Sequence, residues 1–322
     1  MDEFELIRKY FTRASADPDV LVGVGDDGAV LRPAPGRDQV QVIDTLVEGI
    51  HYPPELSAAD IGYRAVAVNL SDIAAMGARP RWMTLALTLR AADPAWLAGF
   101  AEGLFEAAGE HGVTLVGGDT THGPRTVISV NLTGDVEPGR ALTRSRARPG
   151  DRLFVSGHPG DAAAGLELLQ GPAARQPDAE RLVDRFRRPA ARLELGARLA
   201  GLATAAIDVS DGLYGDAGKL LAASSVGGRL DIGRLPLSRE LLAVADRSRA
   251  SDYALGGGDD YELCFSAPAD AAEQIAALAA KLGLPLTDIG EVVAGAGLSC
   301  VENGAPVEYR HAGYLHFGEP ST

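Results

Sequence analysis

The sequence predicts a two-domain α/β protein of the α+β kind, with an N-terminal mixed sheet that carries two long helices and a C-terminal α/β domain. Three observations predict this fold class. The length of 322 residues suggests about two domains at roughly 100 to 200 residues each. Short β-branched segments alternate with long Ala-rich helical patterns, which is typical of sheets packed by helices. A polar stretch with two Pro-Gly turns over 137–150 separates the halves, so the predicted domains are 1–140 and 150–322.

The first half combines strands with two long helices. Strands are expected over 20–24, 29–32, 39–44, 81–89, 114–116 and 126–132. The first helix is expected over 57–76, where Val66, Leu70 and Ile73 form an apolar stripe that faces the core. The second begins after the capping acid Asp93 and ends at Gly112. This half is therefore predicted as a sheet covered by two helices.

The second half repeats the alternation with shorter elements. Strands are expected over 153–156, 205–209, 261–266, 287–293 and 298–301. Helices are expected over 160–170, 178–187, 190–201 and 212–223. This pattern predicts a further α/β unit.

Composition excludes several classes of protein. Lys and Arg number 30 against 44 Asp and Glu, a net charge of −14, so no nucleic-acid partner is expected. The N-terminus opens with acids and no apolar run approaches about 18 residues, so we expect no membrane association and a cytoplasmic protein. The only cysteines, Cys264 and Cys300, are too few for a disulfide framework or a clustered zinc site.

Aspartates recur in six segments, five of them predicted as turns after strands and one on the first helix. They are GVGDDG over 23–28, VIDTL over 42–46, NLSD over 69–72, LVGGDTT over 115–121, AIDVSDG over 206–212 and GGGDDYE over 256–262. One such turn is ordinary, but six acidic segments at element ends suggest carboxylates that converge. The predicted set is Asp27, Asp44, Asp72, Asp119, Asp208 and Asp211. Asp27 is preferred to Asp26 because adjacent residues leaving a strand point to opposite faces.

Converging carboxylates repel one another at neutral pH unless cations offset their charge. Mg²⁺ is the expected ion, because these segments contain no His or Cys and Mg²⁺ is usually shared between carboxylates and substrate phosphates. Phosphate binding is indicated by the glycines of 117–118 and 256–258, whose N–H groups can approach an anion. The hydroxyls of Thr120 and Ser210 and the guanidinium of Arg144 add donors.

Two nucleotide-binding motifs are absent from the sequence. GVGDDG matches the dinucleotide-binding glycine pattern, but that pattern requires a helix next and residues 29–32 are predicted as a strand. Gly218-Lys219 is followed by Leu220, so there is no phosphate-binding P-loop. The residues alone therefore indicate a Mg²⁺-dependent, phosphate-handling protein without a standard nucleotide motif.

Eight motifs follow one another in the order GDD, DTLVEG-x-H, AVNLSDIAAMGA, LVGGDTT, ALTRS, PGD, IDVSDGL and GGDDYEL. This set resembles the thiamine-monophosphate kinases, a family in the superfamily of aminoimidazole ribonucleotide synthetase, over nearly the whole chain. The resemblance implies direct in-line transfer of the γ-phosphoryl group of ATP to thiamine monophosphate, with several Mg²⁺ ions, giving thiamine diphosphate. It also implies a homodimer formed through the N-terminal sheets, with the apolar stretch 82–89 as the candidate contact.

The resemblance assigns roles residue by residue. The implied metal ligands are Asp27, Asp44, Asp72, Asp119, Asp208 and Asp211, of which Asp44, Asp208 and Asp211 are also catalytic. The implied ATP-binding residues are Gly118, Asp119, Arg144 and Ser210, and the implied substrate-binding residues are His51, Asp259 and His311. The chain departs from the family at Val42-Ile43, where hydroxyl side chains are usual, at Asp259, where Glu is usual, and at His311, where another aromatic residue is usual.

These roles divide between the domains. Residues 1–140 are expected to bind ATP and metal and to dimerise, and residues 150–322 to complete the nucleotide and substrate site. Two alternatives remain open: an ATP-dependent enzyme like aminoimidazole ribonucleotide synthetase, and a non-catalytic dimer that binds Mg-nucleotide.

Overall fold

The computed structural model describes residues 2–13, 15–171 and 177–309, which form two compact units. The first comprises the residues up to Ile73 together with Ala78–Ala141. The second comprises Ala74–Gly77 and the described residues from Leu142 onward. Both units combine sheets with helices, which confirms the predicted α/β class. Among the described residues, no helix has the length and apolar character needed to cross a membrane.

The first unit contains a four-stranded mixed sheet and a two-stranded ribbon. Its strands are β1 (Val20–Val22), β2 (Val30–Leu31), β3 (Asp38–Val47), β4 (Arg79–Leu89), β5 (Thr114–His122) and β6 (Val127–Val136). Its helices are α1 (Glu3–Leu6), continued by a π-helical turn over Ile7–Phe11, then α2 (Ala58–Ala75) and α3 (Pro94–Glu110). The sheet has the order β3-β6-β4-β5, in which only β4 and β5 are parallel. β2 follows GVGDDG, as predicted, so this segment does not begin a helix.

Helices α2 and α3 form as predicted. The predicted stripe of α2 is buried, with Val66 and Ile73 fully inaccessible. The side chain of Asp93 caps α3 by accepting the N–H of Ala95 at 2.9 Å. The two helices touch at a glycine, because a Cβ atom on Gly103 would lie 1.8 Å from the carbonyl oxygen of Ala59. Only a glycine permits this approach between the backbones.

Strand β4 places its apolar side chains in the core of its own unit. Met83, Leu85, Leu87 and Leu89 alternate along the strand and are each at most 5% exposed. The candidate dimer contact at 82–89 is therefore wrong in its apolar part, because these side chains face the core. The other face of this strand is formed by the alternate residues Thr84, Ala86 and Thr88, which are small or hydroxylated.

The second unit is built on a seven-stranded sheet. Its strands are β7 (Arg152–Ser156), β8 (Ala205–Val209), β9 (Gly227–Asp231), β10 (Glu262–Ala267), β11 (Leu286–Val293), β12 (Gly297–Glu302) and β13 (Ala305–Val307), in the order β13-β12-β9-β11-β7-β10-β8. Its helices are α4 (Asp161–Gln170), α5 (Pro177–Arg187), α6 (Leu193–Leu199), α7 (Leu213–Ala223), α8 (Arg239–Val244), α9 (Arg247–Gly256) and α10 (Ala272–Leu282). Strands β7, β8 and β10 are almost entirely buried, so a core of apolar residues supports the edge strand β8.

Candidate active site

Asp44, Asp119 and Asp208 lie inside strands rather than in turns. The predicted strands already contained Asp44 and Asp208, whereas β5 extends past the predicted end at 116 and includes Asp119. Asp44 pairs with Val130 in the middle of β3, and Asp119 pairs with Ala86 in β5. Asp208 lies in β8 opposite Leu263. Backbone pairing continues through these acids because the neighbouring strand supplies partners on both sides of them, and the polar side chain does not interrupt the ladder. These carboxylates are therefore positioned by sheet register.

A cavity of about 420 Å³ in the first unit brings several predicted residues together. Asp27, Gly118 and Asp119 line it, with apolar side chains of the N-terminal helix such as Phe4 on another side. Asp26 also lines the cavity, and its Oδ1 accepts the N–H of Asp27 at 2.8 Å. The preference for Asp27 over Asp26 assumed strand alternation, which does not apply because both residues lie outside the named strands.

Gly118 is needed for the shape of this cavity. Its backbone φ is +159°, and a Cβ atom at this position would lie 1.9 Å from the carbonyl oxygen of Leu85. No side chain fits there, so strand β5 brings an open stretch of backbone to the cavity wall beside Asp119. Exposed backbone of this kind is what a phosphate group can approach closely.

Asn69 connects helix α2 to strand β3 at Asp44. Its Oδ1 accepts the backbone N–H of Asp44 at 3.1 Å, and its Nδ2 donates to the carbonyl of Ala65 at 3.0 Å. Asn69 is fully buried, so these bonds satisfy a polar group that the sequence pattern places near the apolar stripe. Asp72 lies one turn further along the same helix and is half-buried.

His51 follows β3 in a turn that holds its imidazole ring. Its Nδ1 accepts the backbone N–H of Val47 at 3.0 Å. An accepting Nδ1 defines the neutral tautomer with the proton on Nε2. The predicted substrate residue therefore carries its ring proton on Nε2.

The described carboxylates suit Mg²⁺ shared with a nucleotide. Asp44 and Asp119 lie on the two edge strands, three strand spacings or about 14 Å apart, which is too far for both to hold one ion. Within the described ranges, no group of three or more His, Cys, Asp or Glu side chains forms a ready-made metal cage. In proteins, Mg²⁺ is commonly held by the oxygen atoms of one or two carboxylates, while phosphates and water complete its coordination shell.

In the second unit, two aspartate-containing loops are joined by backbone hydrogen bonds. The N–H of Asp259 donates to the carbonyl of Ser210 at 2.8 Å, and the N–H of Tyr261 donates to the carbonyl of Val209 at 2.8 Å. Asp259 and Tyr261 both have left-handed backbones, with φ of 62° and 51°. Such conformations cost about 1 to 3 kcal/mol for non-glycine residues and cluster at functional sites. The loops bring Ser210, Asp211 and Asp259 to one end of β8 and β10.

Asp216 holds the first of these loops from the buried face of α7. Its Oδ2 accepts the N–H groups of Ser210 and Asp211 at 3.0 and 2.9 Å, and its Oδ1 accepts from Lys219 at 2.8 Å. Burial raises the pKa of Asp216, with Lys219 acting in the opposite direction. The aspartate itself is 1% exposed. It therefore fixes the backbone of Ser210 and Asp211.

Asp260 and Glu262 hold the second loop. Asp260 is 1% exposed and accepts the N–H groups of Gly160 and Ala162 at 2.8 and 3.2 Å, at the start of α4. Burial raises the pKa of this carboxyl well above its ordinary value. Glu262 is fully buried and pairs with Arg192 and with Arg185, the latter at 2.9 Å. Burial opposes its ionisation, but the two guanidiniums outweigh this and lower its pKa.

The remaining predicted residues are Arg144 and His311. Arg144 is exposed, and its backbone carbonyl accepts the Ser224 hydroxyl at 2.7 Å, which fixes the linker segment against the C-terminal end of α7. His311 lies outside the described residues. The convergence of aspartates from both units stays a prediction.

Sequence reasoning misses the residues that hold these loops. A signal for Asp216 exists, because it shares the buried stripe of α7 with Leu213, Ala217 and Leu220, and an acid on such a stripe needs partners. Glu262 likewise begins a strand that is otherwise apolar. Nothing local identifies Arg185 and Arg192 as its partners, since they are 77 and 70 residues away.

Two family models match the chain. Residues 25–136 match the N-terminal domain of AIR synthase related proteins, and residues 148–302 match the C-terminal domain of the same proteins. Together they cover most of the chain. The chain is thus an AIR synthase related protein with both of that family's domains.

Individual relatives narrow this class. The chain is 45% identical over 322 residues to the thiamine-monophosphate kinase of Escherichia coli K12, covering 99% of each chain. A crystal structure of thiamine-monophosphate kinase from Stenotrophomonas maltophilia K279a is 46% identical, with a TM-score of 0.85 over 91% of this chain and 93% of that one. The structure of AaThiL with AMPPCP and TMP is 32% identical, with a TM-score of 0.78 over 88% and 89%. The chain belongs to the thiamine-monophosphate kinase family, which confirms the resemblance and makes the protein a kinase.

Proposed function

We propose that this protein transfers the γ-phosphoryl group of ATP directly to the phosphate of thiamine monophosphate, giving thiamine diphosphate and ADP. The observation that carries the proposal is the cavity where Asp27 and Asp119 flank the open backbone of Gly118, in a chain of this family. A relative with 32% identity binds AMPPCP and TMP, which are an ATP analogue and the acceptor. Membership of the family and a cavity in which carboxylates flank open backbone support the same reaction.

Mg²⁺ would be held by carboxylates of both units. In the first unit these are Asp27, Asp44, Asp72 and Asp119, and in the second Asp208; the family resemblance adds Asp211. When bound, Mg²⁺ would offset the negative charge of the phosphates. Because Asp44 and Asp119 of one chain are too far apart to share an ion, several ions are required.

The chain's own residues orient the nucleotide. Gly118 offers backbone, Ser210 a hydroxyl and Arg144 a guanidinium to the phosphates of ATP. The Asp216 carboxylate keeps Ser210 in place through its backbone N–H. No strong general base is needed, because the attacking phosphate oxygen is already anionic near pH 7. The rate enhancement then comes from in-line positioning and charge compensation.

The acceptor is recognised by three residues. His51 donates from Nε2, since its Nδ1 is occupied by the N–H of Val47. Asp259 offers a carboxylate suited to the positively charged thiazolium ring of thiamine, on a loop whose conformation is fixed by Ser210. His311 is the third residue, by family resemblance.

We also propose a homodimer formed by the open face of the first unit's sheet. Ile43 is 64% exposed in the middle of β3, on the face opposite the buried rows of β4 and β6. Its row continues through Asn131 and Thr84, so the face is flat and uncharged there. A second copy placing the same face against it would bury Ile43 twice in an isologous contact.

Light scattering tests this assembly. The purified protein is expected at twice the chain mass, and Ile43→Arg at the mass of one chain. Val30→Arg, at a residue 49% exposed on β2, is the matched control and should stay dimeric. A wild-type protein at the mass of one chain contradicts the dimer and leaves the kinase assignment untouched.

The reaction is tested by incubating the protein with ATP, Mg²⁺ and thiamine monophosphate and separating the products by liquid chromatography. Thiamine diphosphate and ADP should appear in equal amounts. Thiamine without a phosphate is the control acceptor and should give neither product. ADP without thiamine diphosphate would favour a synthetase-like enzyme, and nucleotide binding without turnover would favour a non-catalytic dimer; either result rejects the proposal.

A further inference from the structure

Lys219 lies where the family resemblance implies a metal ion. Its Nζ contacts Oδ2 of Asp211 at 2.5 Å and Oδ1 of Asp216 at 2.8 Å. Asp211 and Asp216 therefore hold one ammonium group between two carboxylates. This arrangement is a filled cation site made entirely of the chain's own atoms.

The donor set at this position does not fit an additional Mg²⁺. Both oxygens of Asp216 are occupied, Oδ2 by the N–H groups of Ser210 and Asp211 and Oδ1 by Lys219. Oδ2 of Asp211 is occupied by the same ammonium. Mg²⁺ would need at least one of these carboxylates, and here Asp216 is fully engaged while the ammonium already paired with Asp211 repels a second cation.

The geometry is built in before any ligand arrives. Asp216 and Lys219 are three residues apart on α7, so they lie on the same face of the helix. Asp216 is 1% exposed and cannot turn away, because two backbone N–H groups hold it. The ammonium is thus paired with a carboxylate of fixed position next to Asp211.

The choice of lysine fits this position. Lysine is rare in the chain, which has only Lys9, Lys219 and Lys281, whereas arginine supplies nearly all the other positive charge. An ammonium is a compact point charge, while a guanidinium is a wide planar fork. A single charge between two carboxylates is better matched by lysine.

We propose that the Lys219 ammonium is the permanent cation at Asp211, in place of a Mg²⁺ ion, and that it compensates charge beside the phosphate-binding Ser210. The inference rests on the proposed function, since it concerns the nucleotide site of that reaction. It makes Asp211 a positioning residue that orients Lys219, and it leaves the metal-binding role to the other aspartates. The protein then needs one divalent ion fewer than the resemblance implies.

The number of bound divalent ions tests this proposal. Mn²⁺ serves as the probe, because its free form is counted by electron paramagnetic resonance, and titrations are made with and without AMPPCP. Asp211→Asn leaves the Asp216–Lys219 pair in place, so it should fold normally. We expect Asp211→Asn to bind as many Mn²⁺ ions as the wild type. One ion fewer per chain would overturn the proposal.

Variants of the lysine supply the converse measurement. Lys219→Met frees the Asp211 carboxylate and should bind one Mn²⁺ more per chain, while Lys219→Arg should keep the wild-type number. The double variant Lys219→Met with Asp211→Asn should return to the wild-type number. If Lys219→Met fails to fold, the Asp211→Asn comparison still decides. Turnover of thiamine monophosphate by the wild type is measured separately, so loss of the proposed function is distinguished from loss of the lysine's role.

Discussion

The two units hold their carboxylates by different physical means. In the first unit, Asp44 lies in a ten-residue strand pairing, and Asn69 accepts its backbone N–H. In the second unit, Asp211 and Asp259 lie in loops with left-handed residues that depend on buried acids for their shape. Register alone sets the first kind of position, whereas buried charge sets the second. Function and stability should therefore separate in the first unit and be coupled in the second.

Glu262→Gln is expected to have a large effect on stability, because it removes the buried charge that supports the second unit. The substitution keeps the shape of the side chain but leaves Arg185 and Arg192 without their counter-charge. Removing one partner of a buried ion pair costs about 3 to 5 kcal/mol, and because the arginines are partly exposed we expect about 3 kcal/mol. Urea denaturation measures the change in the free energy of unfolding.

Glu302→Gln is the control for this prediction, since Glu302 is an exposed glutamate at the end of β12 in the same sheet. It should unfold like the wild type. A loss below about 1 kcal/mol in Glu262→Gln would mean that the second unit does not depend on this buried charge.

Asp44→Asn tests whether function and stability separate in the first unit. The amide keeps the size of the side chain and the strand pairing but is a weaker metal ligand. We expect kcat to fall by about 100-fold, or about 2.7 kcal/mol in activation free energy, with a change in unfolding free energy below about 0.5 kcal/mol. Steady-state kinetics and urea denaturation are measured on the same preparation.

Asp38→Asn, at the other end of β3, is the matched control and should keep its activity. A loss of stability in Asp44→Asn as large as the loss of rate would show that the strand, rather than the carboxylate's chemistry, is what was damaged.

Asp161→Asn has an expected effect whose size depends on pH. Burial raises the pKa of Asp161 to about 6 from its ordinary value of 3.8, although the Ser238 hydroxyl acts against this. The folded protein therefore holds the proton more tightly, so wild-type stability falls as the pH rises from about 3.8 to about 6 and stays lower above it. The asparagine variant avoids this loss and should be more stable at pH 7.5 by about 3 kcal/mol.

Urea denaturation at pH 4 and pH 7.5 checks this pH dependence, and the difference between variant and wild type should nearly vanish at pH 4. The exposed Asp270→Asn should show no pH-dependent difference. An Asp161→Asn variant less stable than the wild type at pH 7.5 would contradict the prediction.

The helices of the first unit are predictable from sequence because their signals are local. The stripe of α2 and the Asp93 cap of α3 each lie within one or two helical turns. Helix α9 is not predicted, because its buried residues Ala250, Ser251, Ala254 and Leu255 are mostly small and form no apolar stripe. Local pattern finds an element when its buried face is strongly apolar and fails when that face is made of small residues.

The candidate site is predictable in its residue types but only partly in its geometry. The aspartates are visible in the sequence, and Asp27 and Asp119 do share a cavity. Whether each Asp lies in a strand or in a turn is harder to predict, because Asp occurs in both and the sequence does not identify the neighbouring strand. The supports of the loops, Asp260 and Glu262, bind partners more than 69 residues away in sequence, so only tertiary structure reveals them.

The hydrogen bond from Asp44 to Asn69 also occupies one donor on an open edge of the sheet. Strand β3 is an edge strand, and its outward N–H groups are the kind that recruit strands from other molecules. Asn69 occupies the N–H at the middle of that edge, and helix α2 holds the amide there. A strand from another molecule therefore cannot pair with the Asp44 N–H while α2 holds the Asn69 amide there.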